Sequence, residues 1–188
     1  MPTSEERRRE KLKNAIIFFI QNDKTIGLTK LMKLLFYLDF RLYRETGESL
    51  TGENYEAWEF GPVPASVWRE ISRGQNCGLN LKDIVTVTGA GTETKLKAKP
   101  GARFSDYYFS GIEKKELQNI SEMFKDVPAQ LVVKASHTRN DPWDVTLKTK
   151  GQKAVINYDL ALDGCSEEEK NRIKEIQDDN AMLEAMFG

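Results

Sequence analysis

Few side chains in this sequence are of a type that does covalent chemistry. His137 is the only histidine, and Cys77 and Cys165 are the only cysteines. Histidine with cysteine makes a nucleophilic dyad only when a third group orients the ring, and the spacing singles out no asparagine or aspartate for that task. A lone histidine at a helix end is more often a hydrogen-bonded structural residue. Glu53, Glu56 and Glu59 recur at three-residue spacing, which would make a carboxylate row on a helix. The aromatic residues interleaved with them favour a strand, which splits the row between two faces and leaves solvated carboxylates. Gly89-Ala90-Gly91 lacks the lysine and hydroxyl end of a phosphate loop, and no helix follows. The two cysteines lie far apart and form no CxxC pair, so neither a zinc site nor a disulfide framework is expected. The sequence thus points away from an enzyme and calls for no metal or cofactor.

The elements that must hold these residues are arranged around Leu28–Arg44. Leu28, Leu31, Met32, Leu34, Leu35, Phe36, Leu38, Phe40 and Leu42 make this stretch apolar around most of a helical circumference. Such a helix is normally buried on several sides. Lys30, Lys33, Tyr37, Arg41 and Arg44 are three or four residues apart and line up on the remaining side. The expectation is a central beam with one basic ridge, either solvated with snorkelling lysines or a docking edge for an acidic partner. These five are the candidate partner-binding residues, with the lysine-rich hairpin as the other candidate.

The bulk composition agrees with a globular protein. The 188 residues are 39% hydrophobic and 30% charged, with a formal charge of −1. That charge makes no global field for nucleic acid, so nucleic-acid binding is not expected. No apolar run approaches the roughly 20 residues that span a bilayer, so no membrane role is expected. The cysteine usage suits a reducing cytoplasm.

In chain order, Ser4–Asp23 reads as a first helix, linked by a short turn to the beam, with Gly47 as left-handed cap. Tyr55–Phe60 reads as strand and Gly61-Pro62-Val63-Pro64 as its breaker. Pro64 then suits the first turn of a helix that ends before Gly74. Leu81–Thr88 and Thr92–Lys99 flank Gly89-Ala90-Gly91 as a β-hairpin. Tyr107, Tyr108 and Phe109 read as core filling. Ser110 with Glu113 and Ser166 with Glu169 have capping-box spacing. The first opens a helix carrying Leu117, Ile120, Met123 and Phe124. Pro128 begins another, with Leu131, Val132 and Ala135 inward, ending near Arg139-Asn140-Asp141. Between Asp144 and Leu162 the text is mixed, with Ala154–Tyr158 either strand or helical turn. The second capping box opens a last helix, about 166–187, with Ile173, Ile176, Met182, Leu183 and Met186. It packs on the core, lies in a partner's groove with Phe187, or closes a homodimer. The reading is one domain over 1–188, α+β and predominantly helical. At its heart is a buried helix hairpin, beside a small antiparallel β-hairpin or sheet.

Three stretches together carry a resemblance. They are Leu28-Thr-Lys-Leu-Met-Lys-Leu-Leu-Phe-Tyr-Leu-Asp-Phe40, then Tyr55-Glu-Ala-Trp-Glu-Phe-Gly-Pro-Val-Pro64 with Val67-Trp68, and Ser136-His137 with Pro142-Trp143. The pattern resembles the Panacea domain, also called the SocA-like antitoxin or phage-associated GepA-like domain, from about Ile16 to Tyr158. The resemblance implies an antitoxin that binds and neutralises a cognate toxin protein and is not itself an enzyme. It implies a bacterial or prophage toxin–antitoxin operon. In one branch it implies an adaptor that delivers the toxin to the ClpXP protease. A DNA-binding regulator using the basic helix is the alternative from another class. On the matched residues, Trp58, Phe60, Gly61, Pro62 and Trp68 are expected to build a rigid corner beside Phe36. Ser136 and His137 are expected to hydrogen-bond its open backbone, with Trp143 packed over it.

Overall fold

The structure is a computed structural model and describes residues 2–89, 94–137 and 141–187. Helix α1 (Ser4–Asn22) opens on a capping box between Thr3 and Glu6 and buries Leu12, Ile16, Phe19 and Ile20. Helix α2 (Leu28–Thr46) ends on Gly47 in the left-handed region, where no Cβ penalty arises. Eleven of its residues are buried, and it touches α1 and most of the elements introduced below. It is the beam about which the rest is packed.

Strand β1 (Tyr55–Trp58) pairs antiparallel with β2 (Gly61–Pro64), in the register Tyr55 with Pro64 and Trp58 with Gly61. The expected chain break at Gly61–Pro64 is therefore a strand. Two prolines fit because β2 is an edge, where a missing N–H costs no ladder bond. Pro64 precedes helix α3 (Ala65–Arg73) rather than lying inside its first turn. The other edge of β1 is covered by residues 153–156. Lys153 and Ile156 donate to Ala57 and Tyr55, and Ala57 donates to Ala154, which settles the mixed stretch there as extended chain.

A 3-10 turn at Leu81–Asp83 leads into β3 (Val85–Thr88), which pairs with β4 (Lys95–Ala98). The expected hairpin is present but shorter than read. Ala90 and Gly91 of its turn, and Thr92 and Glu93 of its second strand, lie outside the described residues. Helix α4 (Gly111–Phe124) starts at the Ser110/Glu113 capping box and buries Leu117, Ile120 and Phe124, while Met123 is exposed. Helix α5 (Ala129–Ala135) buries Val132 alone. Leu131 and Ala135 face outward, because a seven-residue helix covering one side of α2 has room for a single inward row. It stops at Ala135, and residues 139–140 of its expected end lie outside the described residues. Helix α6 (Pro142–Lys150) was not expected. Pro142 reads as a terminator but sits in the first turn of this new helix, capped by Asp141, whose Oδ1 accepts from the Asp144 N–H at 2.8 Å. After a 3-10 turn at Tyr158–Leu162, the Ser166/Glu169 box opens α7 (Glu167–Phe187).

One buried cluster joins residues from Leu12 to Ile156, so α1 through the 153–156 segment share a core. The fold is α+β and predominantly helical, as expected. Of the Tyr107–Phe109 trio only Phe109 enters the core, and Tyr107 is exposed. Among the described side chains of α7 only Ile173 is buried, while Met182, Leu183 and Met186 are exposed. The side chain of Phe187 lies outside the described residues.

Candidate partner-binding site

The expected basic ridge is not a surface ridge. Lys30 and Lys33 are each 1% exposed. Lys30 makes an ion pair with Asp23 at 2.5 Å and donates to the Val127 carbonyl at 2.7 Å. Burial alone would raise the Asp23 carboxyl, but hydrogen bonds from Lys30 and Thr25 outweigh it and hold the group low. Lys33 donates to the Pro62 carbonyl at 2.8 Å, and the absence of water brings its pKa down to about 7. Tyr37 stacks on Phe124 with centroids 4.9 Å apart, and its buried hydroxyl has no hydrogen-bond partner among the described residues. Burial and nearby Asp141 push that hydroxyl's pKa up. Tyr37 is half-buried and Arg41 and Arg44 are exposed, and Arg41 pairs with Glu116 at 2.5 Å. The ridge fails as a surface because α5, β2 and the α1–α2 link close over its N-terminal half.

The motif residues do form a corner, with different bonds from those expected. Gly61 stands at φ +101°, a conformation that favours glycine. A Cβ there would lie 2.7 Å from Lys33 Nζ and 2.9 Å from Ser136 Oγ. The corner's carbonyls are taken by Lys33, on Pro62, and by Trp143, whose indole Nε1 donates to Trp58 at 2.8 Å. Ser136 and His137 do not fill that role. Ser136 donates back to Val133 at 2.8 Å, within its own helical end. His137 stacks flat on Trp143, with centroids 4.2 Å apart and planes 12° from parallel, and its buried Nε2 has no hydrogen-bond partner among the described residues. Phe36 packs against Phe40 and Tyr55. Trp58 and Trp68 meet each other edge to face at 4.9 Å instead. Phe60 does not fill the corner's interior but stands at its tip, 67% exposed at the hairpin turn.

The carboxylates are structural. Glu56 accepts from Trp58 Nε1 at 2.8 Å and from Arg69 at 2.9 Å. Glu53 is not a solvated carboxylate: it is partly buried, accepts from the Ser66 hydroxyl, and burial with nearby Asp39 and Glu70 raises its pKa. Asp39 and Glu70 went unremarked in the sequence. Asp39 is fully buried and accepts from the Thr51 N–H and hydroxyl, the Tyr55 hydroxyl at 2.7 Å and the Tyr158 hydroxyl at 3.4 Å. Glu70 accepts the N–H groups of Cys77, Leu79 and Leu81. An acid inside so apolar a run as the one holding Asp39 was the available signal. The two cysteines are free, and among the described residues no His, Cys, Asp and Glu side chains gather into a metal-binding group.

Beside the corner lies a cleft of about 380 Å³, walled by Met32, Trp58, Phe60, Val63 and Trp68. Lys33 and Lys153 contribute to the same wall. Arg73 places its guanidinium 5.0 Å from the Trp68 ring centre on the adjoining side.

The site is thus an apolar beam that carries a pinned aromatic corner. The chain matches the sequence model of the family described as antitoxin SocA-like, Panacea domain, over residues 31–144. It belongs to that family. The matched span holds α2, the β1–β2 corner, α3 to α5 and the start of α6, and leaves out α1 and α7. No curated protein and no solved structure matches the chain. Among the described residues no helix is long and apolar enough to cross a membrane.

Proposed function

We propose that this protein is the antitoxin of a toxin–antitoxin pair and neutralises a cognate toxin protein by direct binding, without catalysis. The observation that carries this reading is the family match over residues 31–144. The geometry supports it: the buried acids hold backbone and hydroxyl groups. Contact residues belong on the exposed side chains, with Arg41 and Arg44 the remaining members of the ridge. Burial of Lys30 and Lys33 removes the basic helix face on which a DNA-binding regulator would depend. The test is co-expression with the adjacent open reading frame. Arrest by the neighbour alone and growth in the presence of this protein are expected. A neighbour that is harmless, or harmful in both cases, overturns the reading. Immunoblots of the neighbour during rescue separate blocking, which leaves its level unchanged, from delivery to ClpXP, which lowers it.

A further inference from the structure

We infer that the toxin is gripped at the Phe60 corner: the cleft beside Phe60 receives a large apolar or aromatic side chain of the toxin, and Lys153 and Arg73 pair with a carboxylate next to it. The inference rests on the antitoxin reading and names the surface that reading lacks. Its first support is the contrast between the corner's stiffness and the exposure of its tip. The hairpin is pinned from behind by Lys33 on Pro62 and Trp143 on Trp58, and Gly61 leaves no free volume beneath it. Yet Phe60, at its turn, is 67% exposed. An aromatic ring held out to water on a rigid support has little entropy left to lose on binding, which is the usual character of an interface anchor.

The second support is the cleft itself. A volume of about 380 Å³ lies at the small end for ligand sites and suits one or two side chains. Its walls are two tryptophans, a phenylalanine, a methionine and a valine, the residue types that make adaptable apolar contact. The third support is charge. Lys153, Arg69 and Arg73 line this cleft and the one adjoining it, against Glu56 and Glu59. Glu56 is already paired with Arg69. Among the described residues neither Lys153 nor Arg73 has a carboxylate ion-pair partner, which leaves two cations on the rim against the one carboxylate of Glu59. Lys153 also holds a left-handed backbone, φ +63°, while its N–H donates to Ala57 at 2.8 Å. Strain of that kind in a non-glycine residue persists where the surrounding structure imposes it, and here it sits at the lip of the cleft.

The experiment uses the full chain and the product of the adjacent open reading frame as probe. Phe60→Ser and the pair Lys153→Glu with Arg73→Glu change exposed side chains, and matching thermal melts show that they fold. Phe60→Ser is expected to weaken binding by about 30-fold or more. The charge reversal is expected to weaken it about tenfold at low salt, with the gap closing as salt rises. Phe60→Trp should retain binding, and Lys115→Glu and Met123→Ser, exposed on α4, should stay within about twofold of the parent. Wild-type binding left unchanged by both corner variants overturns the inference while sparing the antitoxin reading. A neighbour that the wild type neither binds nor neutralises overturns both. A parent that is dimeric by sedimentation, and made monomeric by Phe60→Ser with toxin binding intact, assigns the corner to a second copy of this chain and overturns the inference.

Discussion

Lys33 would be a protonated surface amine in water, yet in the fold it is 1% exposed with a carbonyl as its hydrogen-bond partner. Its pKa falls from 10.5 to about 7. Linkage sets the sign: between those values the unfolded chain binds a proton that the folded chain does not, so stability rises with pH across that window. The cost is complete below about pH 7 and is relieved toward pH 10. Other buried acids titrate too, so the difference between the parent and Lys33→Met isolates this group. Urea midpoints from pH 7 to 10 should show the parent gaining up to about 1.4 kcal/mol per pH unit on the methionine variant. A constant difference would mean that Lys33 is hydrated in the fold. Beneath the same amine, Gly61 has no room for a methyl group. Gly61→Ala combines a left-handed backbone with contacts of 2.7 and 2.9 Å to Lys33 and Ser136, and should cost about 2–3 kcal/mol in a denaturant titration.

Helix α7 and hairpin β1–β2 show how differently two elements can be held. The hairpin is tied on its far side by Lys33 and Trp143, and its outer edge is occupied by residues 153–156. Among its described residues helix α7 is fixed by one buried apolar side chain, Ile173, and by polar contacts to the end of α2. Gln177 donates to the Gly47 carbonyl at 2.8 Å, and Asn180 donates to Glu48 at 2.7 Å. Ending the chain before Ser166 should therefore leave a folded protein that is weaker by about 2–3 kcal/mol, the burial of one isoleucine plus a hydrogen bond. Far-UV circular dichroism and urea midpoints read this directly. Loss of all cooperative unfolding would show that α7 belongs to the core.

At the scale of the whole molecule, α2 contacts α1, β2, α3, α4, α5, the Tyr158–Leu162 turn and α7, and one buried cluster runs from Leu12 to Ile156. Indole fluorescence, which reports the corner through Trp58, Trp68 and Trp143, should lose its native signal at the same urea concentration as helical circular dichroism. Two separate transitions would mean that the corner and the helices around α2 fold as distinct units. Native-state hydrogen exchange should place the α7 amides at the low end of protection and those of α2 at the high end.

Local features were legible in the chain. The Ser110/Glu113 and Ser166/Glu169 boxes, the Gly47 cap and the apolar wrap of α2 each depend on residues a few positions apart, and each is present in the fold. The two errors around proline came from the same locality. Pro62 and Pro64 read as breakers because a neighbour-based rule cannot see that β2 is an edge, and Pro142 ends one segment only because it begins another. Whether a lysine on α2 meets water was settled at long range. The carbonyls that bury Lys30 and Lys33 come from Val127 and Pro62, which lie 97 and 29 residues along the chain. Periodicity places such side chains on one side of a helix, but what packs against that side is a property of the assembled core. Tertiary structure thus turned the expected basic ridge into the buried support of an aromatic corner and left Phe60, rather than the lysines, facing outward.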